Sequence, residues 1–168
     1  YFCHNKNLYK NILSKVYKYY MKILAVQSRM GIGDTVIFLP FIKALSKKFN
    51  SPISILVKEN SKANQYLHQT KYIDKILTLE RDNKTNNRHG GFFGIFKLAN
   101  DLKKYKFDKI FIFNSSLRFN LISKISGIPQ IYQYPLFTKN KQHIIETPKK
   151  FLKESLDLEV NEDPEIQI

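Results

Sequence analysis

Apolar residues follow two rhythms along this chain. Continuous apolar runs at 22–27 (KILAVQ), 53–57 (ISILV), 75–80 (KILTLE) and 109–113 (KIFIF) have the length and branched side chains of strands buried on both faces, and a weaker run lies at 130–132. Between them the spacing turns helical. Ile37, Phe41, Leu45 and Phe49 recur four apart, and Pro40 within that pattern predicts a kink or a late helix start. A polar helix is expected over 61–68 and another over 92–104. A further helix follows NSSLR and runs to about 126, with Gly127 as its stop, and the last spans roughly 143–156. The run RDNKTNNRHGG (81–91) has no apolar period and is rich in turn formers, so it reads as a mobile loop.

Apolar strands alternating with amphipathic helices call for a parallel sheet covered on both faces, joined by right-handed crossovers. The expected architecture is therefore α/β, a doubly wound Rossmann-like sheet. Ligands of such sheets sit at the carboxyl ends of the strands, which singles out the loops after Gln27 (SRMGIGD) and after Phe113 (NSSLR).

Composition narrows the class. A chain of 168 residues with 43% hydrophobic and 14% aromatic content is too apolar for disorder and suits one domain. No apolar run reaches the length of a membrane span. The single cysteine, Cys3, cannot form an internal bridge, and the first twenty residues lack a secretory pattern, so the cytoplasm is the expected compartment. A net charge of +14 attracts polyanions: nucleic acid, anionic membrane or phosphorylated substrates. The lysines are dispersed along helices, as on solvated faces, and the abundance of Lys, Asn and Ile together is also what an AT-rich genome produces. There is no RNA-recognition signature, zinc-ligand spacing or compact basic region.

The segment from Gly31 to Asp34 admits three readings. As a dinucleotide fingerprint it lacks the third glycine, and no acid ends the second strand, where Lys58 stands. As helix punctuation, Asp34 is an N-cap and the glycines form the turn. As chemistry, Asp34 projects from the mouth of the sheet as a general base, and the glycines admit an acceptor close to the backbone.

From Met21 onward the chain resembles the amino-terminal half of the lipopolysaccharide heptosyltransferases, glycosyltransferase family 9. The likeness is carried by SRMGIGDTVIFLPFIKAL, by YIDKIL (72–77), by YKFDKIFIFNSSLR with its "SLR", and by QHIIETPKKFLKESL against the family's "HxxER" helix, where Thr147 replaces the usual arginine. The resemblance implies the amino-terminal, acceptor-side domain of a GT-B enzyme: two Rossmann-like domains, inverting chemistry, no cofactor and no obligatory metal. The lack of any Asp-x-Asp pair agrees with that expectation.

By the same resemblance Asp34 is the catalytic base that deprotonates an acceptor hydroxyl. Ser28, Arg29, Gly31 and Gly33 shape the acceptor side, with Ser115, Ser116 and Lys58 on the same rim. Arg118 is placed to grip a carboxylate or phosphate of the acceptor, against the plainer reading of an arginine on a solvated helix face. His143 and Glu146 match the "HxxER" helix without a catalytic role, and His4, His68 and His89 suggest no metal site. The implied partners are a lipopolysaccharide or lipid-linked acceptor and a nucleotide-sugar donor held by a second domain that this chain lacks.

The expected organisation is a basic extension (1–20), the Rossmann-like domain (21–158) and the start of an interdomain linker (159–168). Met21 is the expected functional start. In the extension Leu8, Ile12, Val16 and Tyr20 recur among lysines, which predicts peripheral contact with an anionic inner membrane, although mistranslated upstream sequence would look equally basic. Two readings remain beside the transferase. One is a basic α/β module that binds nucleic acid, a partner the transferase reading does not expect, and the other is a noncatalytic remnant.

Overall fold

Five parallel strands form one sheet in this protein, seen in a computed structural model that describes residues 20–28, 31–81, 87–135 and 143–162. In chain order the elements are β1 (Ile23–Val26), α1 (Ile32–Phe49), β2 (Ile53–Lys58), a 3-10 turn (Glu59–Ser61), α2 (Ala63–Tyr66), β3 (Ile73–Leu79), α3 (Phe93–Lys103), β4 (Lys109–Ile112), α4 (Leu117–Ile125), β5 (Gln130–Gln133) and α5 (Glu146–Leu156). The strand order is β3-β2-β1-β4-β5. Ile23 pairs with Ile53 on one side and Lys109 on the other, so β1 is the central strand. The fold is thus α/β and Rossmann-like, as the alternation of runs predicts.

The sheet divides the core by strand period. From β1, Ile23 and Ala25 enter one apolar layer, which α1, Ala63, Leu67, Phe151 and Leu152 complete. Leu24 and Val26 enter the other, built with α3, α4, Phe107 and Ile128. Each fully buried aliphatic side chain of this kind contributes about 1.5–3 kcal/mol of transfer free energy. Aromatic rings lock the first layer: Phe113 meets Phe38 edge-on at 4.9 Å, and Phe111 stacks on Tyr132 at 4.7 Å.

Several expectations shift. The first helix starts at Ile32 and runs through Pro40, so the late start is excluded. Pro40 removes the amide that would bond the Val36 carbonyl, and its burial among Phe38, Leu39, Phe41 and Ile42 offsets the loss. The buried stripe centres on Phe38, Phe41, Ile42 and Leu45; Ile37 and Phe49 are only half-buried. The polar helix expected over 61–68 is reduced to a 3-10 turn and one short turn of α2. The third strand begins earlier, at Ile73, and the last helix later, at Glu146. Beyond α5, Val160 is buried in the first layer and Glu162 pairs with Lys43 at 2.9 Å and with Lys47, so the chain as far as Glu162 packs on α1. The amphipathic pattern before Tyr20, Cys3, His4, Arg29, the middle of the 81–91 loop and the stretch after Glu162 lie outside the described residues.

Candidate functional site

The strand order reverses between β1 and β4, and this is where the two loops marked by the sequence meet. Asn114 follows β4 by two residues and donates from Nδ2 to Ser28 Oγ, just beyond β1, at 2.8 Å. The Asn114 Oδ1 accepts the Ser116 amide at 2.9 Å, an Asx turn that sets the entry to α4. Gln133, the last residue of β5, donates to the carbonyls of Asn114 (3.1 Å) and Ser116 (2.9 Å) and accepts from Asn120. Three loop ends on the carboxyl edge are therefore held by side-chain amides.

On the β1 side, Gln27 is buried and its Nε2 reaches the backbone carbonyl of Asp34 at 3.5 Å, linking the strand end to the first turn of α1. Gly31 is the N-cap residue of that helix, at φ 116° and ψ 164°, and Thr35 donates to its carbonyl at 3.0 Å. Asp34 is consequently the third helical residue and not the N-cap. Its carboxylate is half-exposed, and among the described residues no hydrogen bond or ion pair engages it. An acid in the first turn of a helix also meets the positive end of the helix dipole. Gly33, one position earlier, has open space where a side chain would stand.

The other sequence-predicted residues are distributed along this edge. Lys58 closes β2, beside β1, and is buried. Ser115 and Ser116 are half-buried in the turn before α4, and Ser116 is the N-cap residue of that helix. Arg118 points toward the start of α3: its Nη1 donates to the Gly91 carbonyl at 2.7 Å and its Nη2 to the His89 carbonyl. It clamps the end of the loop it faces. Asn114 and Gln133 went unmarked in the sequence. The asparagine had a local signal, an Asx residue two before a serine that opens a helix; the glutamine had none, because its role depends on β5 lying beside β4.

The two histidines that can be placed near helix starts have structural tasks. His89 is buried, exchanges bonds with Glu80 (its amide to the Glu80 carbonyl at 2.8 Å, its Nδ1 accepting the Glu80 amide at 3.1 Å) and lies 3.3 Å from Asp101 Oδ2. His143 Nδ1 accepts the amides of Ile145 and Glu146 at 3.3 Å each, a cap for α5. Among the described residues no three His, Cys, Asp or Glu side chains are grouped to hold a metal ion. A cavity of about 360 Å³ between β3 and α3, floored by Leu56, Leu77 and Leu98 and rimmed by Arg88, Asp101 and Lys104, includes none of the predicted site residues.

A five-stranded parallel sheet with this order, helices on both faces and polar loops converging where the order reverses defines a Rossmann-like α/β domain. No protein-family model and no curated protein matches the chain. Solved structures match in fold. A glycosyltransferase family 9 protein from Veillonella parvula DSM 2008 superposes with TM-score 0.68 at 18% identity, over 89% of this chain and 46% of that one. The ADP-heptose LPS heptosyltransferase II of E. coli follows with TM-score 0.57 and 15% identity over 88% of this chain and 47% of its own. The E. coli heptosyltransferase WaaC, solved with ADP-2-deoxy-2-fluoro heptose, gives TM-score 0.52 and 12% identity over 88% and 51%. The chain spans about half the length of the structures it matches.

Proposed function

We propose that this chain is the acceptor-side half of an inverting glycosyltransferase of the heptosyltransferase kind, moving a sugar from a nucleotide-sugar donor to a hydroxyl of a lipopolysaccharide or lipid-linked acceptor. The observation that carries the reading is the Asp34 carboxylate, half-exposed on the carboxyl edge and unengaged among the described residues, in a fold shared with enzymes that use ADP-heptose by name. In this reading Asp34 takes the acceptor proton as the oxygen attacks the anomeric carbon, and the nucleotide leaves from the opposite face of the sugar. Ser28, Arg29, Gly31, Gly33, Ser115 and Ser116 shape the acceptor side, and Lys58 lies on its border. Arg118 serves it indirectly, by fixing the loop at Gly91. Donor binding belongs to a second domain of comparable size.

The test joins such a second domain to the chain and measures sugar transfer to an inner-core lipopolysaccharide acceptor. Asp34→Asn and Asp34→Ala are expected to lower turnover about a hundred- to ten-thousandfold, the contribution of a positioned base, with acceptor binding retained in the Asn variant. Unimpaired turnover in both variants removes Asp34 from the chemistry.

A further inference from the structure

Apolar side chains gather on one outer surface of the domain that no element among the described residues covers. Phe93 is 77% exposed and Phe92 67%, and Phe96 is also exposed beside them, the Phe92 ring meeting Phe93 at 6.1 Å and Phe96 at 5.5 Å. On the neighbouring helix Leu117, Leu121 and Ile125 are exposed at four-residue spacing, a single stripe along α4. The two helices lie side by side in the same direction: Arg118 reaches Gly91 at their starts, and Ser126 Oγ donates to the Ala99 carbonyl at 3.1 Å near their ends. The six side chains thus belong to one face of a helix pair whose inner face packs on the sheet. Isolated surface apolar residues are ordinary; a cluster with three phenylalanines on paired helices marks an interaction surface.

Charge identifies the occupant. Lys97 and Lys124 are exposed on the same two helices, and Arg88 and Lys104 are exposed beside Asp101 of α3. Asp101 is the sole carboxylate in α3 and α4, and it is already occupied by Arg88, His89 and Lys104. A second copy of a chain carrying +14 would bring like charge against this surface. An anionic bilayer supplies both complements, headgroups for the lysines and acyl chains for the rings. Among the described residues no helix is long and apolar enough to cross a membrane, so the contact is with the interface.

We propose that the α3–α4 face docks on anionic phospholipid bilayers, with Phe92 and Phe93 entering the acyl region. The starts of both helices stand on the carboxyl edge of the sheet, so docking brings that edge near the membrane. This inference is separate from the reaction and is tested without it.

The chain contains no tryptophan, so Phe93→Trp introduces a single reporter at an exposed position in the full chain. Mixed with vesicles of phosphatidylcholine and phosphatidylglycerol, the reporter's emission is expected to blue-shift and to be quenched by brominated acyl chains. A His68→Trp reporter, on the opposite side of the sheet, is expected to remain in water. Vesicle partitioning should fall about tenfold or more in the Phe92→Ser, Phe93→Ser, Phe96→Ser triple variant and weaken with salt. Unshifted emission from the Phe93→Trp variant while the chain co-sediments with vesicles assigns docking to another segment and overturns the proposal. A blue shift that rises with protein concentration and needs no vesicles assigns the face to self-association, with the same consequence. Phe92→Trp serves as the second reporter.

Discussion

Gly31 and Gly33 stand two residues apart at the start of α1 under different constraints. Gly31 sits at φ 116°, a conformation that L side chains adopt only under strain, and holds the turn that aims β1 into the helix. Gly33 is helical with open space at its missing Cβ. Gly31→Ala is therefore expected to destabilise the fold by about 1–3 kcal/mol. Gly33→Ala is expected to leave stability unchanged or raise it by up to about 1 kcal/mol, the helix preference of alanine over glycine. Urea unfolding of both variants checks the contrast, and equal effects would show that the two glycines share one role. The local spacing G-x-G-D made this turn visible in the sequence. It did not distinguish the glycine that shapes the backbone from the one that leaves room, since that difference lies in φ and in empty space.

At the scale of the element, α3 depends on its approach to the loop before it. A Cβ on Gly94 would lie 2.2 Å from the backbone carbonyl carbon of His89 and 2.4 Å from its oxygen, both fixed by the bonds His89 exchanges with Glu80 and accepts from Arg118. Gly94→Ala, favourable by helix preference alone, is expected instead to destabilise by about 3 kcal/mol, because backbone atoms cannot yield as a flexible side chain does. A lower urea midpoint with an unchanged slope is the expected record. The sequence located α3 closely, over 92–104 against the observed Phe93–Lys103, since its apolar period is strong. It read the loop before α3 as mobile. The end of that loop is instead packed, with His89 buried, because Arg118 and Asp101 arrive from other elements.

At the scale of the whole molecule, Asp101 ties that loop to the helix pair. Burial raises its pKa, but the hydrogen bonds from Lys104 and His89 and the nearby Arg88 charge outweigh burial and hold the carboxyl below its ordinary value of 3.8. A depressed carboxyl contributes stability that is fully present above its unfolded pKa and is lost as pH falls through the folded one. Asp101→Asn should thus cost about 1–2 kcal/mol at neutral pH, the scale of hydrogen bonds to a charged group. The gap between variant and native protein should close below about pH 4. Urea unfolding at neutral and acid pH measures this, and a constant gap would assign the loss to shape and not to charge.

Element identity and fold class were determined by the sequence alone, because strand and helix periods are local properties and alternation of the two leaves a parallel sheet as the means of burying both. Chain order likewise predicted that the loops after β1 and β4 lie together, since every strand of such a sheet ends on one edge, and Asn114 joins them at Ser28. Tertiary structure decided the rest: that Asn114 reaches Ser28 across 86 residues, that Gln133 braces the same turn, that Arg118 faces Gly91, and that the phenylalanines of α3 share a surface with the stripe on α4. Those facts depend on which distant segments become neighbours, and a local pattern of polar and apolar positions carries no record of that.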